Sequence, residues 1–306
     1  MPKGGKELRM SIFEGAGVAL VTPMNADGSI NYDKLEEILE YQIKGGTDSI
    51  IICGTTGEAS TLSEKEHMDA IRFTCDKVAG RIPVIAGTGS NSTQTAIQLS
   101  KEATEAGADA LLLVTPYYNK ATQGGLKGHF NAVAAETNLP IILYNIPGRT
   151  GVKIEAETAY DLWKNVDNIV AVKDATGDLA ETVKVLSLSD GGIDVYSGND
   201  DITVPIMSVG GKGVISVLSN ILPKETHDMV KACLDGDFAT GAKAQLKYYD
   251  LIKALFSEVN PIPVKMAMNI MGMEVGPLRL PLTEMEKAHA DILREEMKKV
   301  GIAVKN

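Results

Sequence analysis

Residues 168–177, Asn-Ile-Val-Ala-Val-Lys-Asp-Ala-Thr-Gly, place a lysine where a lysine is costly. Ile169, Val170, Ala171 and Val172 form an apolar run that reads as a buried strand and leads straight into Lys173. Asp174, Thr176 and Gly177 then break the pattern as a loop does. An ammonium is strongly hydrated, so burial favours the free amine and lowers its pKa toward the range where it is a nucleophile. That is the environment a Schiff-base lysine requires. A lysine that caps a strand and extends to solvent gives the same local pattern, and the stretch alone leaves both readings open.

Other apolar runs end in equally polar chemistry. The run 49–53 is followed by Gly54-Thr55-Thr56-Gly57-Glu58, whose hydroxyls and backbone N–H groups suit a small carboxylate, though an ordinary tight turn uses the same residues. The run 110–114 leads to Thr115-Pro116-Tyr117-Tyr118-Asn119, and 140–144 ends in Tyr144 with Arg149 five residues on. A tyrosine ending a strand usually packs its ring and lets its hydroxyl find a partner. Arg149 alone also fits a surface charge. Ser197-Gly198 and Ile215 close two further runs. Cys53 could be called a nucleophile, but a small buried hydrophobe is the better reading.

The elements that must position these groups alternate regularly. Apolar runs at 17–23, 49–53, 82–86, 110–114, 140–144, 169–173, 193–198 and 213–217 are separated by helical periodicity at 32–44, 63–78, 92–106, 124–137 and 155–165. Ser63 followed by Glu66 is a capping-box pattern. The runs are apolar throughout instead of alternating, as when both faces of a strand are covered. Eight such strands predict an α/β fold, a TIM (β/α)8 barrel, over residues 12–235. The alternative is a doubly wound open sheet, against which stands the absence of G-x-G-x-x-G after the first strand. Residues 1–11 read as a loose tail. Helical patterns at 225–234, 238–256, 262–271 and 283–300 make the eighth barrel helix and then a C-terminal helical appendix over 236–306. In a barrel, these polar strand ends meet at one mouth. Lysine, two threonines, tyrosines and an arginine there make a site for an α-keto acid and a second, carboxylate-bearing carbonyl compound.

Composition narrows the class. The chain has 306 residues, 44% hydrophobic and 23% charged, an ordinary globular balance. A formal net charge of −10 argues against nucleic acid or an anionic membrane as partner. No apolar run reaches membrane-spanning length, and residues 1–12 lack the apolar core of a secretory signal. Three cysteines without CxxC spacing, Cys53, Cys75 and Cys233, argue against a disulfide framework or zinc site and fit a reducing, cytoplasmic location.

The motifs GTTGE at 54–58, TPYYN at 115–119, YNIPGRTG at 144–151, VKDATG at 172–177 and GVISV at 213–217 follow in order on successive strand ends. With them the chain resembles the pyruvate-dependent class I aldolases of the dihydrodipicolinate synthase and N-acetylneuraminate lyase family, over residues 12–300. It is more similar to the synthase branch, which joins pyruvate to L-aspartate 4-semialdehyde on the diaminopimelate route to lysine. Gly-Thr-Thr-Gly-Glu, where lyases look more like Gly-Ser-Thr-Gly-Glu, and Arg149 favour that branch. The resemblance implies that Lys173 forms an imine with pyruvate and needs no metal or other cofactor. It implies that Thr55 and Thr56 hold the pyruvate carboxylate, with Gly198 and Ile215 lining the pocket, and that Arg149 holds the semialdehyde carboxylate. It further implies a proton relay of Tyr144, Thr55 and Tyr118, the last contributed across a subunit contact, hence a homo-oligomer, usually a tetramer. The rival within the family is an N-acetylneuraminate or 4-hydroxy-2-oxoglutarate lyase; from another class, a silent barrel that only senses a keto acid.

One part of the family's pattern is not kept. The positions that resemble its lysine-feedback site read Ala59, Ser60, Glu64, His67, Asn91 and Thr95. Ala59 lacks a hydroxyl, Glu64 stands where a histidine is common, and Thr95 where a glutamate would meet an ammonium. Lysine inhibition is therefore expected to be weak or absent.

Overall fold

The structure is a computed structural model that describes residues 11–305, so the tail expected over 1–11 lies, but for Ser11, outside the described residues. Eight strands run in sequence order round a closed parallel barrel: β1 (Gly15–Ala19), β2 (Ser49–Ile52), β3 (Val84–Gly87), β4 (Ala110–Val114), β5 (Ile141–Asn145), β6 (Ile169–Asp174), β7 (Asp194–Ser197) and β8 (Gly213–Ser216). Pairing of β8 back onto β1 excludes the open sheet. The helices are α1 (Tyr32–Lys44), α2 (Glu64–Val78), α3 (Thr93–Glu105), α4 (Gln123–Ala134), α5 (Pro147–Thr150), α6 (Ala156–Asn165), α7 (Leu179–Leu188), α8 (Thr203–Ser208), α9 (Pro223–Leu234), α10 (Phe238–Leu255), α11 (Ile262–Ile270) and α12 (Lys287–Lys299). The Ser63–Glu66 capping box starts α2.

Several boundaries differ from those expected. β1 stops at Ala19 although Leu20, Val21 and Thr22 remain buried. Leu20 N–H still bonds to the Ile51 carbonyl of β2 at 3.0 Å, but the next polar groups turn elsewhere: Val21 N–H donates to the Asn220 side chain, and the Thr22 hydroxyl to the Gly57 carbonyl at 2.6 Å. The short helices α5 and α8, and α7 with its Asp178 cap, were not foreseen from periodicity. α12 begins at Lys287, since residues 282–286 carry no regular structure.

Two apolar layers hold the barrel. Strand residues such as Val18, Ile50, Leu113 and Leu143 face the helices, while Ile51, Ile85, Ile142, Tyr144, Tyr196 and Ile215 fill the interior. In β6 this alternation is broken once. Ile141 of β5 pairs with Ile169, but Ile142 pairs with Ala171, so Val170 is a bulge. Ile169 and Val172 face the helices, and Val170 and Ala171 both face inward. Counted without the bulge, Lys173 would point out at the helices. With it, Lys173 pairs with Tyr144 on one side and Tyr196 on the other, both interior residues.

The C-terminal helices reach back to the mouth. Lys265 of α11 is 1% exposed, and its ammonium donates to Glu58 Oε1 at 2.8 Å and to the carbonyls of Thr22 and Pro277 at 3.1 and 2.6 Å. Glu58 Oε2 accepts from the Arg279 N–H at 3.0 Å. Glu58 sits in the left-handed region at φ 56°, a conformation an L side chain adopts at a cost that these contacts offset. Removing one partner leaves a buried charge unpaired. Lys265→Met is therefore expected to lower stability by about 3–5 kcal/mol in urea unfolding. Adding Glu58→Gln should restore part of that loss; equal losses in the two variants would show that the pair does not act as a unit.

Candidate active site

Lys173 is the second-last residue of β6, and it is 5% exposed. Its Nζ lies 4.2 Å from the centre of the Tyr144 ring, its in-register neighbour on β5. Burial lowers its pKa from 10.5 to about 7; the nearby Asp200 carboxylate opposes that shift and the Arg149 guanidinium adds to it. At neutral pH a large share of Lys173 is therefore the free amine. Tyr144 is pushed the other way. Burial raises its phenol to about 12, against the pull of Arg149 and a hydrogen bond with Thr55. It is a protonated phenol at neutral pH, able to give a proton only as it takes another.

Asp200, just after β7, supplies the buried negative charge. Its carboxylate accepts from the Ser216 hydroxyl at 2.5 Å and from the N–H groups of Val217 and Leu218 at 3.0 and 3.1 Å. Burial still raises its pKa, more than those bonds lower it. Sequence reasoning missed it because Asn199-Asp200-Asp201 looks like any solvated polar loop.

The loop after β2 is held from below. The N–H groups of Gly57 and Glu58 bond back to the carbonyls of Gly54 and Thr55, both at 3.1 Å. Thr56 is buried, and its Oγ1 accepts from Asn260 Nδ2 at 3.0 Å. The Asn260 carbonyl in turn accepts from Arg149 at 3.0 Å. Asn260, before α11, had no signal in the sequence beyond standing ahead of a proline. Arg149 lies in α5, on a loop fixed by Asn145, whose side chain bonds both backbone groups of Ile154 at 2.9 and 3.0 Å.

A cavity of about 440 Å³ opens here, lined among others by Thr55, Tyr144, Ile146 and Arg149. The structure thus gathers Lys173, Tyr144, Thr55, Thr56 and Arg149 at one barrel mouth. Ile215 lies buried in the barrel interior, and Gly198 beside the end of β6, with its N–H on the Asp174 carbonyl at 2.7 Å. A Cβ on Gly198 would stand 2.6 Å from that of Ala175, so close approach requires glycine there. Tyr118 is not brought in. It is 90% exposed, at a left-handed φ of 73°. Cys53 lines the cavity with its thiol buried against the His67 carbonyl and its pKa raised by burial, the behaviour of a small hydrophobe.

The same cavity is lined by Ala59, Ser60, Glu64, His67 and Thr95, five of the six positions compared with a feedback site. His67 is buried, and its Nε2 is bonded to the Gly87 carbonyl at 2.7 Å; desolvation keeps its pKa low and the ring neutral. Asn91 is engaged outside the cavity lining, donating to the Tyr117 carbonyl at 3.2 Å and accepting from Asn119 at 2.9 Å. Among the described residues no group of three or more His, Cys, Asp and Glu could hold a metal ion, and no helix is long and apolar enough to cross a membrane.

The sequence model of the Dihydrodipicolinate synthetase family matches residues 12–300. The 4-hydroxy-tetrahydrodipicolinate synthase of Lachnoclostridium phytofermentans is 60% identical over 293 residues, 96% of this chain and 100% of its own. That of Acetivibrio thermocellus is 54% identical over 295 residues, again 96% and 100%. The crystal structure of dihydrodipicolinate synthase from Aquifex aeolicus superposes with a TM-score of 0.94 at 45% identity, covering 96% of this chain and 100% of that one.

The depressed pKa is open to a direct check. At pH 7 an ordinary lysine of pKa near 10.4 is free amine in only about 1 part in 10³. Brief reductive methylation with formaldehyde, read peptide by peptide, is expected to label Lys173 with a midpoint near pH 7. Labelling of Lys173 that rises only in step with the surface lysines would contradict the buried-amine geometry.

Proposed function

Because the chain belongs to the dihydrodipicolinate synthetase family, we propose that it condenses pyruvate with L-aspartate 4-semialdehyde to 4-hydroxy-tetrahydrodipicolinate. The observation that carries this reading is a buried lysine of lowered pKa packed against a tyrosine, with Thr55 and Arg149 beside them.

The free amine of Lys173 attacks the pyruvate carbonyl, and the carbinolamine loses water to give a protonated imine. That cation draws electrons from the methyl carbon, which gives up a proton and becomes a nucleophilic enamine carbon. It adds to the aldehyde of the semialdehyde, forming the carbon–carbon bond. Attack of the semialdehyde's own amine on the imine carbon then closes the ring and returns Lys173. The imine is the electron sink, so the lysine itself does what a cofactor would otherwise do.

Thr55 and Thr56 hold the pyruvate carboxylate by hydrogen bonds, and Arg149 meets the carboxylate of the second substrate, where a guanidinium can bind both oxygens. Gly198 and Ile215 shape the wall behind the imine. Tyr144 carries protons to and from the carbinolamine oxygen through Thr55. A second chain's Tyr118 completes that relay, which makes the working form at least a dimer and, in our reading, a homotetramer. The exposed Tyr118, with Tyr117 also partly exposed, supports such a contact. Three free cysteines, two of them buried, support a reducing cytoplasm. A lyase acting on a sugar acceptor is the second reading, and Arg149 beside the cavity disfavours it.

Steady-state rates with L-aspartate 4-semialdehyde and with N-acetylmannosamine decide between these readings: the semialdehyde is expected to be used and the sugar not, and the reverse would overturn the assignment. Tyr144→Phe should still form the imine yet lose roughly 10²–10⁴ in rate, the size of a general acid–base contribution. A near wild-type rate would remove Tyr144 from the relay. Sub-millimolar lysine is expected to leave the rate almost unchanged, since His67 is bonded inward and positions 59, 64 and 95 lack matching groups; strong inhibition would contradict this.

A further inference from the structure

Asn260 touches both halves of the site while belonging to neither strand ends nor barrel loops. Its side chain is buried, at 6% exposure for the residue, and its Nδ2 donates to Thr56 Oγ1 at 3.0 Å. Its backbone carbonyl accepts from the Arg149 guanidinium at 3.0 Å. Its Oδ1 is buried and has no protein partner. An orphaned buried acceptor costs free energy, so this one calls for an explanation.

The direction of the Asn260–Thr56 bond matters chemically. A hydroxyl carries one proton and two lone pairs, and it rotates to suit its neighbours. Here an amide N–H occupies one lone pair of Thr56 Oγ1, so the Thr56 proton points away from Asn260 and is free to be donated to an acceptor beyond. A carboxylate can only accept. Reversal of the bond would present Thr56 lone pairs to that carboxylate and repel it. The arrangement is held in place from the next helix, since Lys265, five residues on, is fixed to Glu58 of the same loop and to the Thr22 and Pro277 carbonyls.

We propose that Asn260 is a positioning residue that sets the hydrogen-bond polarity of Thr56, leaving the hydroxyl proton free to be donated to the keto-acid carboxylate, while its backbone carbonyl orients Arg149. The inference rests on the reading of Thr56 as part of the pyruvate site. It assigns the C-terminal segment a part in substrate recognition that the barrel loops do not provide.

The test is the pyruvate concentration that half-saturates borohydride trapping on Lys173. Asn260→Ala removes the donor and is expected to raise it about tenfold, the scale of a hydrogen bond to a charged group. The shape-conserving Asn260→Asp, which would accept from Thr56 instead, is expected to raise it further. In a Thr56→Val background, Asn260→Ala should add less than about twofold, because contributions that run through one shared group are not additive. Asn260→Ala keeps the backbone carbonyl, so its KM for the semialdehyde should stay within about twofold of wild type. A merely structural role would instead raise the half-saturation by the same factor in both backgrounds. That result, or unchanged half-saturation in Asn260→Ala and Asn260→Asp, would overturn the inference alone. Wild-type protein that yields no Lys173 adduct would instead overturn the pyruvate reading beneath it.

Discussion

The structure depends on the cost of taking one ammonium out of water. Lys173 stands inside a barrel of aliphatic and aromatic side chains, and that burial brings its pKa from 10.5 to about 7. Because the folded value lies below the unfolded one, burial of Lys173 opposes folding below about pH 7. That cost fades as pH rises from about 7 toward 10.5, where the unfolded chain also loses its proton. The rest of the fold offsets it. What the protein gains is an amine that is nucleophilic at neutral pH, and no group in the site has to remove a proton from it first.

Three features make that placement specific. The bulge at Val170 sets the parity of β6 and so turns Lys173 inward, between Tyr144 and Tyr196. Asp200 limits how far the pKa falls, and it is itself fixed by Ser216 and two backbone N–H groups. Asn260 and Lys265 tie the loop with Thr55 and Thr56 to the C-terminal helices, so the mouth is braced from both sides. A buried ion pair such as Glu58–Lys265 is weak evidence for stability, but it does fix where two segments meet.

Most of the barrel was legible in the sequence because buried parallel strands leave a simple trace: short, wholly apolar runs at regular spacing. The polar groups that follow those runs were legible for the same reason, since strand ends in a barrel share one mouth. The bulge was not legible. Ile169-Val170-Ala171-Val172 is apolar on both faces, so nothing in it marks which residue is extra. Asp200 and Asn260 were missed because each sits in a polar connection that looks solvated, and only tertiary packing buries it. The ends of β1 and α12 slipped because buried or periodic residues there are bonded by side chains instead of a ladder or helix. The positions of the compared feedback site were legible as residues, yet not their geometry: five line the central cavity while Asn91 is bonded to the loop after β4.

Two buried lysines make the central claim sharply testable, because only one of them faces the site as a poised amine. Lys265 is as buried as Lys173 but is saturated by Glu58 and two carbonyls. Borohydride reduction in the presence of pyruvate, followed by peptide mass spectrometry, distinguishes them. The account predicts a single pyruvate-derived adduct, on Lys173. An adduct on Lys265 or on surface lysines in its place, or no adduct at all, would contradict it.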